Sequence, residues 1–279
     1  MIKKILAVHD ISCFGRCSMQ VIVPVLSRFG FQVCPLPTAL LSTHTGDFEG
    51  YTFLDLTEEM KKITAHWKSL GLKFDAVYSG FLGNATQLDT VFDAIETFPA
   101  EGALIMVDPV MGDNGRIYTT YTPEMCKGMH RLCQNAHVVI PNLTEAFILA
   151  DMPYESSPSE QTAMLLLEKV ASICRRQNKA VLIHGVSRGN VISSYFYDNL
   201  TANGTTGRID SPYCPAFFPG CGDLFASLLL GELLCGRHIA DAADKASSFI
   251  SDVSFATLKL GTPHNQGIEF EKSLEDFII

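Results

Sequence analysis

A chain of 279 residues with 47% hydrophobic and 18% charged side chains can bury a sizeable core, which excludes a disordered protein. The net charge of −9 and the lack of any Lys/Arg cluster argue against a nucleic-acid surface, which needs a basic face. The longest apolar stretch, 224–235, contains Glu232 and is too short to span a bilayer.

The nine cysteines are odd in number and scattered, with no C-x-x-C, so neither a zinc site nor a redox pair nor a disulfide framework is indicated. Reduced thiols and a cytoplasmic location are the plain reading. Residues 1–8 carry two lysines and a short apolar run that breaks at His9-Asp10, too early for a secretory signal, and predict a first buried strand over 4–8. Further apolar runs predict strands over 31–36, 76–79, 104–107, 138–140 and 181–184. Several lack alternation, as strands covered on both faces do.

Amphipathic segments predict helices over 18–29, 57–71 with Thr57 as N-cap, 84–98, 123–133, 144–150 and 159–177. Residues 191–197 and 206–210, around a turn at 199–204, predict a hairpin. Two long helices, near 223–235 and 239–259, follow. The βαβα pattern points to an α/β fold with a central, mostly parallel sheet between helical layers. No repeat or linker divides residues 1–279, so a single domain is expected.

Sites in open α/β sheets lie beyond the carboxyl ends of the strands. The residues there are polar and glycine-rich: His9-Asp10, His44-Thr45-Gly46-Asp47, Ser79-Gly80, Asp108-Pro109, Pro141-Asn142, His184-Gly185 and Gly220-Cys221-Gly222-Asp223. Gly220 and Gly222 before an apolar helix allow a tight turn and close approach to a ligand. The helix start offers unpaired N–H groups, an anion hole for a phosphoryl group. Asp223 beside it can take a proton from a hydroxyl. The same residues also read as a turn with an acidic helix cap. Asp108 and Asp113 in Asp108-Pro109-Val110-Met111-Gly112-Asp113 suit Mg²⁺, which binds through one or two carboxylates plus substrate phosphates. They equally fit a solvated loop. Asn142 and Glu145 fit either a helix cap or contacts to metal-bound water. No G-x-x-x-x-G-K-[ST] and no G-x-G-x-x-G after the first strand occurs, which excludes P-loop and dinucleotide-binding folds. Spacing gives no ligand pair among the eight histidines, and Cys13 and Cys17 read as small buried hydrophobes.

Taken together, Gly220-Cys221-Gly222-Asp223 resembles the G-x-G-D signature of ribokinase-like kinases, and Asp108 to Asp113 resembles the D-P-V-[ML]-G-D stretch of pyridoxal kinases. Pro141-Asn142-Leu143-Thr144-Glu145, Ser42-Thr43-His44-Thr45-Gly46 and Ser79-Gly80-Phe81-Leu82-Gly83 are similar to further motifs of that family, in the same order. The resemblance covers nearly the whole chain. It implies a ribokinase-like three-layer α/β/α fold and transfer of the ATP γ-phosphoryl to the 5′-hydroxyl of pyridoxal, pyridoxamine or pyridoxine. Asp223 would be the base, with Gly220, Cys221 and Gly222 as the anion hole. Asp108, Asp113, Asn142, Glu145 and His184 would surround ATP and Mg²⁺, with Asp108 and Glu145 reaching the metal partly through water. Asp10, Ser12, His44, Thr45 and Phe81 would line the vitamer site. A homodimer and activation by a monovalent cation such as K⁺ are also implied.

The chain departs from the pattern at Asp10, where the family carries serine. Phe81 replaces a tyrosine and Cys221 a threonine or valine. An ionised Asp10 only accepts hydrogen bonds and would favour a protonated ring nitrogen or amine. Hydroxymethylpyrimidine kinases, built on the same scaffold, are the alternative; they often end the glycine motif in cysteine where this chain has Asp223. A non-catalytic vitamer-binding protein is the other, although binding alone needs neither a base nor metal ligands.

Overall fold

Strands apolar on both faces must be covered on both faces, and the chain folds accordingly. A computed structural model describes residues 2–200 and 204–277. In chain order the elements are β1 (Lys4–Ser12), α1 (Met19–Arg28), β2 (Gln32–Leu41), β3 (Phe53–Asp55), α2 (Thr57–Ser69), β4 (Phe74–Ser79), α3 (Thr86–Thr97), β5 (Pro99–Val107), β6 (Gly112–Asp113), β7 (Arg116–Ile117), α4 (Pro123–Asn135), β8 (Val138–Val139), α5 (Leu143–Leu149), α6 (Glu160–Ile173), β9 (Ala180–Arg188), β10 (Val191–Asp198), β11 (Thr205–Pro212), α7 (Cys221–Leu234), α8 (Ile239–Leu260) and α9 (Leu274–Phe277).

Nine strands form one sheet in the order β11-β10-β9-β8-β5-β4-β1-β2-β3. The six central strands from β9 to β2 pair in parallel, while β3 at one edge and the β10–β11 hairpin at the other pair antiparallel. The chain runs outward from β1 to β2 and β3, then returns to β4 on the opposite side of β1. That reversal opens a crevice beyond the carboxyl ends of β1 and β4.

Two cores flank the sheet. On one face Val8, Val77, Val107 and Val139 pack under α3, α4, α5 and α6. On the other Ala7, Tyr78, Met106 and Leu182 pack under α1, α7 and α8. Helix α7 is buried nearly all round, from Leu224 to Glu232, as its unbroken apolar sequence requires. Trp67 leaves α2 to pack on Phe74 and Phe98, at ring distances of 5.6 and 6.2 Å.

The expected parallel strands, helices and hairpin are present; residues 201–203 of the hairpin turn lie outside the described residues. Helix α2 differs at its start. Thr57 is its first residue rather than its cap, because Asp55 supplies the acceptor, 2.8 Å from the Thr57 N–H. Helix α6 ends at Ile173, short of residue 177, where Cys174 turns extended. Strand β9 runs on to Arg188 because β10 pairs with it beyond His184. Edge strand β3 and the β6–β7 pair are additional. No helix among the described residues is long and apolar enough to cross a membrane.

Candidate active site

The glycine motif becomes the turn into α7. Gly220 is left-handed, with φ 82°, and a Cβ there would lie 1.8 Å from the Arg16 carbonyl oxygen. Only glycine fits both demands. A Cβ on Gly222 would meet nothing within 4 Å, so the first turn of α7 faces open space. The N–H groups of that turn lack intrahelical partners and carry the positive end of the helix dipole.

Asp223 sits in the same turn, and Ser18 donates its backbone N–H to Asp223 Oδ2 at 2.8 Å. Ser18 holds φ 52°, an unusual value for a residue with a side chain, and stands at the start of α1. That strained backbone connects α1 to α7 across 205 residues of sequence. Asp223 still touches solvent, yet protein surrounds it closely. Burial, joined by the negative charge of Asp10, pushes its carboxyl up to about 7 against the Ser18 hydrogen bond.

Asp10 is buried at the β1 end and accepts hydroxyl hydrogen bonds from Ser12 at 3.0 Å and from Ser18. Burial raises its pKa while those bonds oppose the rise. Ser18 therefore ties together two carboxylates, with its hydroxyl on Asp10 and its N–H on Asp223. His44 is also buried: Gly46 donates its N–H to Nδ1 at 3.1 Å, so the proton sits on Nε2, which donates to the Asn265 carbonyl at 2.7 Å. One nitrogen thus serves its own loop, and the other ties that loop to the His264–Gln266 turn. Thr45 is exposed, and the half-buried Phe81 lies 6.2 Å from the Tyr121 ring, with its carbonyl accepting from Thr38 Oγ1 at 3.0 Å.

A second carboxylate group faces this one. Asn142 caps α5 through a reciprocal pair: its Oδ1 accepts from the Glu145 N–H at 3.0 Å, and Glu145 Oε2 accepts from the Asn142 N–H at 2.8 Å. Glu145 Oε1 accepts from the Met111 N–H at 3.1 Å, and Asn142 Nδ2 donates to the Gly112 carbonyl at 2.9 Å. The cap thus also pins the Asp108–Asp113 loop. Burial pushes Glu145 up to about 8. Asp108 rises well above the ordinary range, through burial first and then the charges of Glu145 and Asp223. Among the described residues no hydrogen bond to its carboxylate opposes that rise. Asp113 turns back onto Asn114, accepting its N–H at 2.8 Å. The His184 ring stacks on Phe225 at 5.3 Å, and burial lowers its pKa to about 4, leaving it neutral.

The strand ends thus bring Asp10, Ser12, Asp108, Glu145 and Asp223 to one crevice. Ser18 was invisible in the sequence, and Cys17, read there as a small buried hydrophobe, is half-buried beside the site, its thiol raised by burial and then by the charges of Asp223 and Asp10. Cys13, by contrast, is exposed. Among the described residues no three His, Cys, Asp or Glu side chains form a metal cage. A metal sharing its shell with phosphate oxygens fits better: Asp108 is a buried carboxylate in need of a cation, and Glu145, with both oxygens on backbone N–H groups, suits contact through water.

A parallel sheet ending in a glycine-rich helix start, with a half-buried aspartate beside it and a carboxylate pair opposite, defines a small-molecule phosphotransferase of the ribokinase-like class. The chain belongs to the phosphomethylpyrimidine kinase family, whose model matches residues 25–267. It is 28% identical over 278 residues to pyridoxal kinase PdxY of Rubrobacter xylanophilus, covering 97% of this chain and 93% of that protein. A crystal structure of a Bacteroides thetaiotaomicron protein provisionally called a phosphomethylpyrimidine kinase, in a form with pyridoxal, superposes with a TM-score of 0.94. The two are 41% identical, over 100% of this chain and 96% of the other. Pyridoxal kinase from Lactobacillus plantarum matches with a TM-score of 0.91 and 26% identity, over 100% of this chain and 97% of the other.

Proposed function

We propose that this kinase phosphorylates the 5′-hydroxyl of a vitamin B6 vitamer with ATP. The observation that carries the reading is Asp223, held by the Ser18 N–H beside an α7 start that is open at Gly222. Asp223 takes the hydroxyl proton, and its pKa near 7 matches that task at neutral pH. The N–H groups around Gly222 receive the transferred phosphoryl oxygens. Asp108 would hold Mg²⁺ together with the ATP phosphates, and Glu145 would contact it through water. Held there, the metal would supply neutralisation of charge on the phosphates.

The relatives named pyridoxal kinase and the neighbour solved with pyridoxal support the vitamer as acceptor. The family's name, phosphomethylpyrimidine kinase, keeps a second reading open, a methylpyrimidine acceptor such as hydroxymethylpyrimidine. A coupled ADP-release assay with pyridoxal, pyridoxamine, pyridoxine and hydroxymethylpyrimidine separates them. Turnover with vitamers and little with the pyrimidine is expected; the reverse ranking overturns the vitamer reading. The family resemblance further supports a homodimer, which sedimentation tests.

A further inference from the structure

At the opposite end of the sheet, where β5 begins and β8 is entered, lies an open groove of about 410 Å³ lined by Phe92, Ile95, Ala103, Asn135, His137 and Arg176. His137 is half-buried, and its Nδ1 accepts the Ile105 backbone N–H at 3.0 Å. A nitrogen that accepts carries no proton, so the proton of the neutral ring must sit on Nε2. Arg176 Nη1 lies 3.2 Å from that same Nε2. Both groups are donors, and neither can accept from the other.

The two side chains cannot simply part. Arg176 Nε donates to the Asn135 carbonyl at 2.6 Å, and His137 is fastened to β5 by the Ile105 bond. No carboxylate among the described residues pairs with Arg176: Glu96 lines the groove without reaching salt-bridge distance. A fixed guanidinium and a fixed imidazole N–H therefore converge on one cavity in which no carboxylate of the described residues reaches salt-bridge distance of the guanidinium.

We infer that this groove is a binding site for a small oxyanion, phosphate-like or carboxylate, which accepts from His137 Nε2–H and Arg176 together. Arginine presents parallel donors suited to such a group, and two donors already held in place need little ordering on binding. The burial and nearby guanidinium that lower the His137 pKa to about 4 keep the ring in the neutral form the site requires. The site lies far from the crevice that holds Asp223 and is independent of the acceptor specificity proposed above.

The test follows the ring signals of His137 in ¹⁵N-labelled full-length protein, identified with His137→Asn, which preserves an acceptor for the Ile105 N–H and removes the Nε2 donor. The expected ring is the Nε2–H tautomer. Phosphate, sulfate and acetate titrations should shift its signals saturably at about millimolar concentration, and the arms rank the oxyanion geometries. Arg176→Ala should weaken binding about tenfold or more, and Glu96→Gln should tighten it by removing a nearby negative charge. An Nδ1–H tautomer, signals unmoved by all three anions, or equal shifts in Arg176→Ala would each overturn the site and leave water as the groove's occupant. The Arg176→Ala protein is checked for an unchanged melting temperature, with Arg176→Lys as a second charge-retaining variant.

Discussion

At the scale of single residues, the site turns on how Ser18 shares itself between Asp10 and Asp223. Replacing Asp223 by Asn keeps the Ser18 N–H bond, since the amide oxygen still accepts, but removes the base. We expect kcat to fall about 10²–10⁴-fold with the fold intact, measured by steady-state kinetics and thermal melting; near-normal turnover would remove Asp223 from that role. Asp10 offers a finer test. Its negative charge helps to raise the Asp223 pKa, so Asp10→Asn should lower it and move the acidic limb of kcat/KM below about 7. Ser12 and Ser18 bond different oxygens of Asp10, so one hydroxyl can reverse to accept from the new amide NH₂ while the other still donates to its oxygen, which preserves the local packing. An acidic limb that stays in place or moves upward would break the electrostatic link between the two carboxylates.

Among the elements, the start of α7 separates shape from chemistry. Gly220 and Gly222 look alike in sequence, and the structure gives them different duties. Gly220→Ala forces a side chain into a left-handed backbone and against the Arg16 carbonyl, so a melting-temperature loss worth about 1–3 kcal/mol is expected. Gly222→Val meets open space, so the protein should stay folded while phosphoryl transfer is lost as the branched side chain crowds the phosphate. A Gly222→Val protein with normal kcat/KM would place the anion hole elsewhere. Much of this element was legible: glycines, an acid and an unbroken apolar run mark a buried helix beginning at a ligand. The central parallel strands were legible for the same reason, as runs with no solvent face. Strand β3 was not, because all three of its residues are exposed and carry no burial pattern. Ser18 was not, because what marks it is a positive φ and a partner distant in sequence, neither of which leaves a local signal. The length of β9 depends on β10 and was fixed by pairing rather than by its own residues.

For the whole molecule, the crevice concentrates carboxylates whose burial works against their charge. Asp223 is pushed up to about 7 and Glu145 to about 8, and Asp108 is raised well above the ordinary range. In the unfolded chain all three ionise near pH 4. Between those limits the folded protein binds more protons than the unfolded one, so these groups make stability fall as pH rises. Three buried or half-buried histidines act oppositely. His9 falls to about 3, and His137 and His184 to about 4, so the unfolded chain binds the extra protons up to about pH 6.5 and folding gains as pH rises to that point. Below about 6.5 the two sets offset each other; above it only the carboxylates remain. We therefore expect the melting temperature of the ligand-free protein to drop between about pH 6.5 and 8. Asp108→Asn should flatten that slope and raise the melting point at pH 8, since among the described residues no hydrogen bond to the carboxylate offsets its burial. Mg²⁺ with ATP should flatten it in the wild type by giving the ionised carboxylates a cation. A melting temperature that climbs with pH across this window, or a slope untouched by Asp108→Asn, would show that the crevice carboxylates are not the strained charges of the fold.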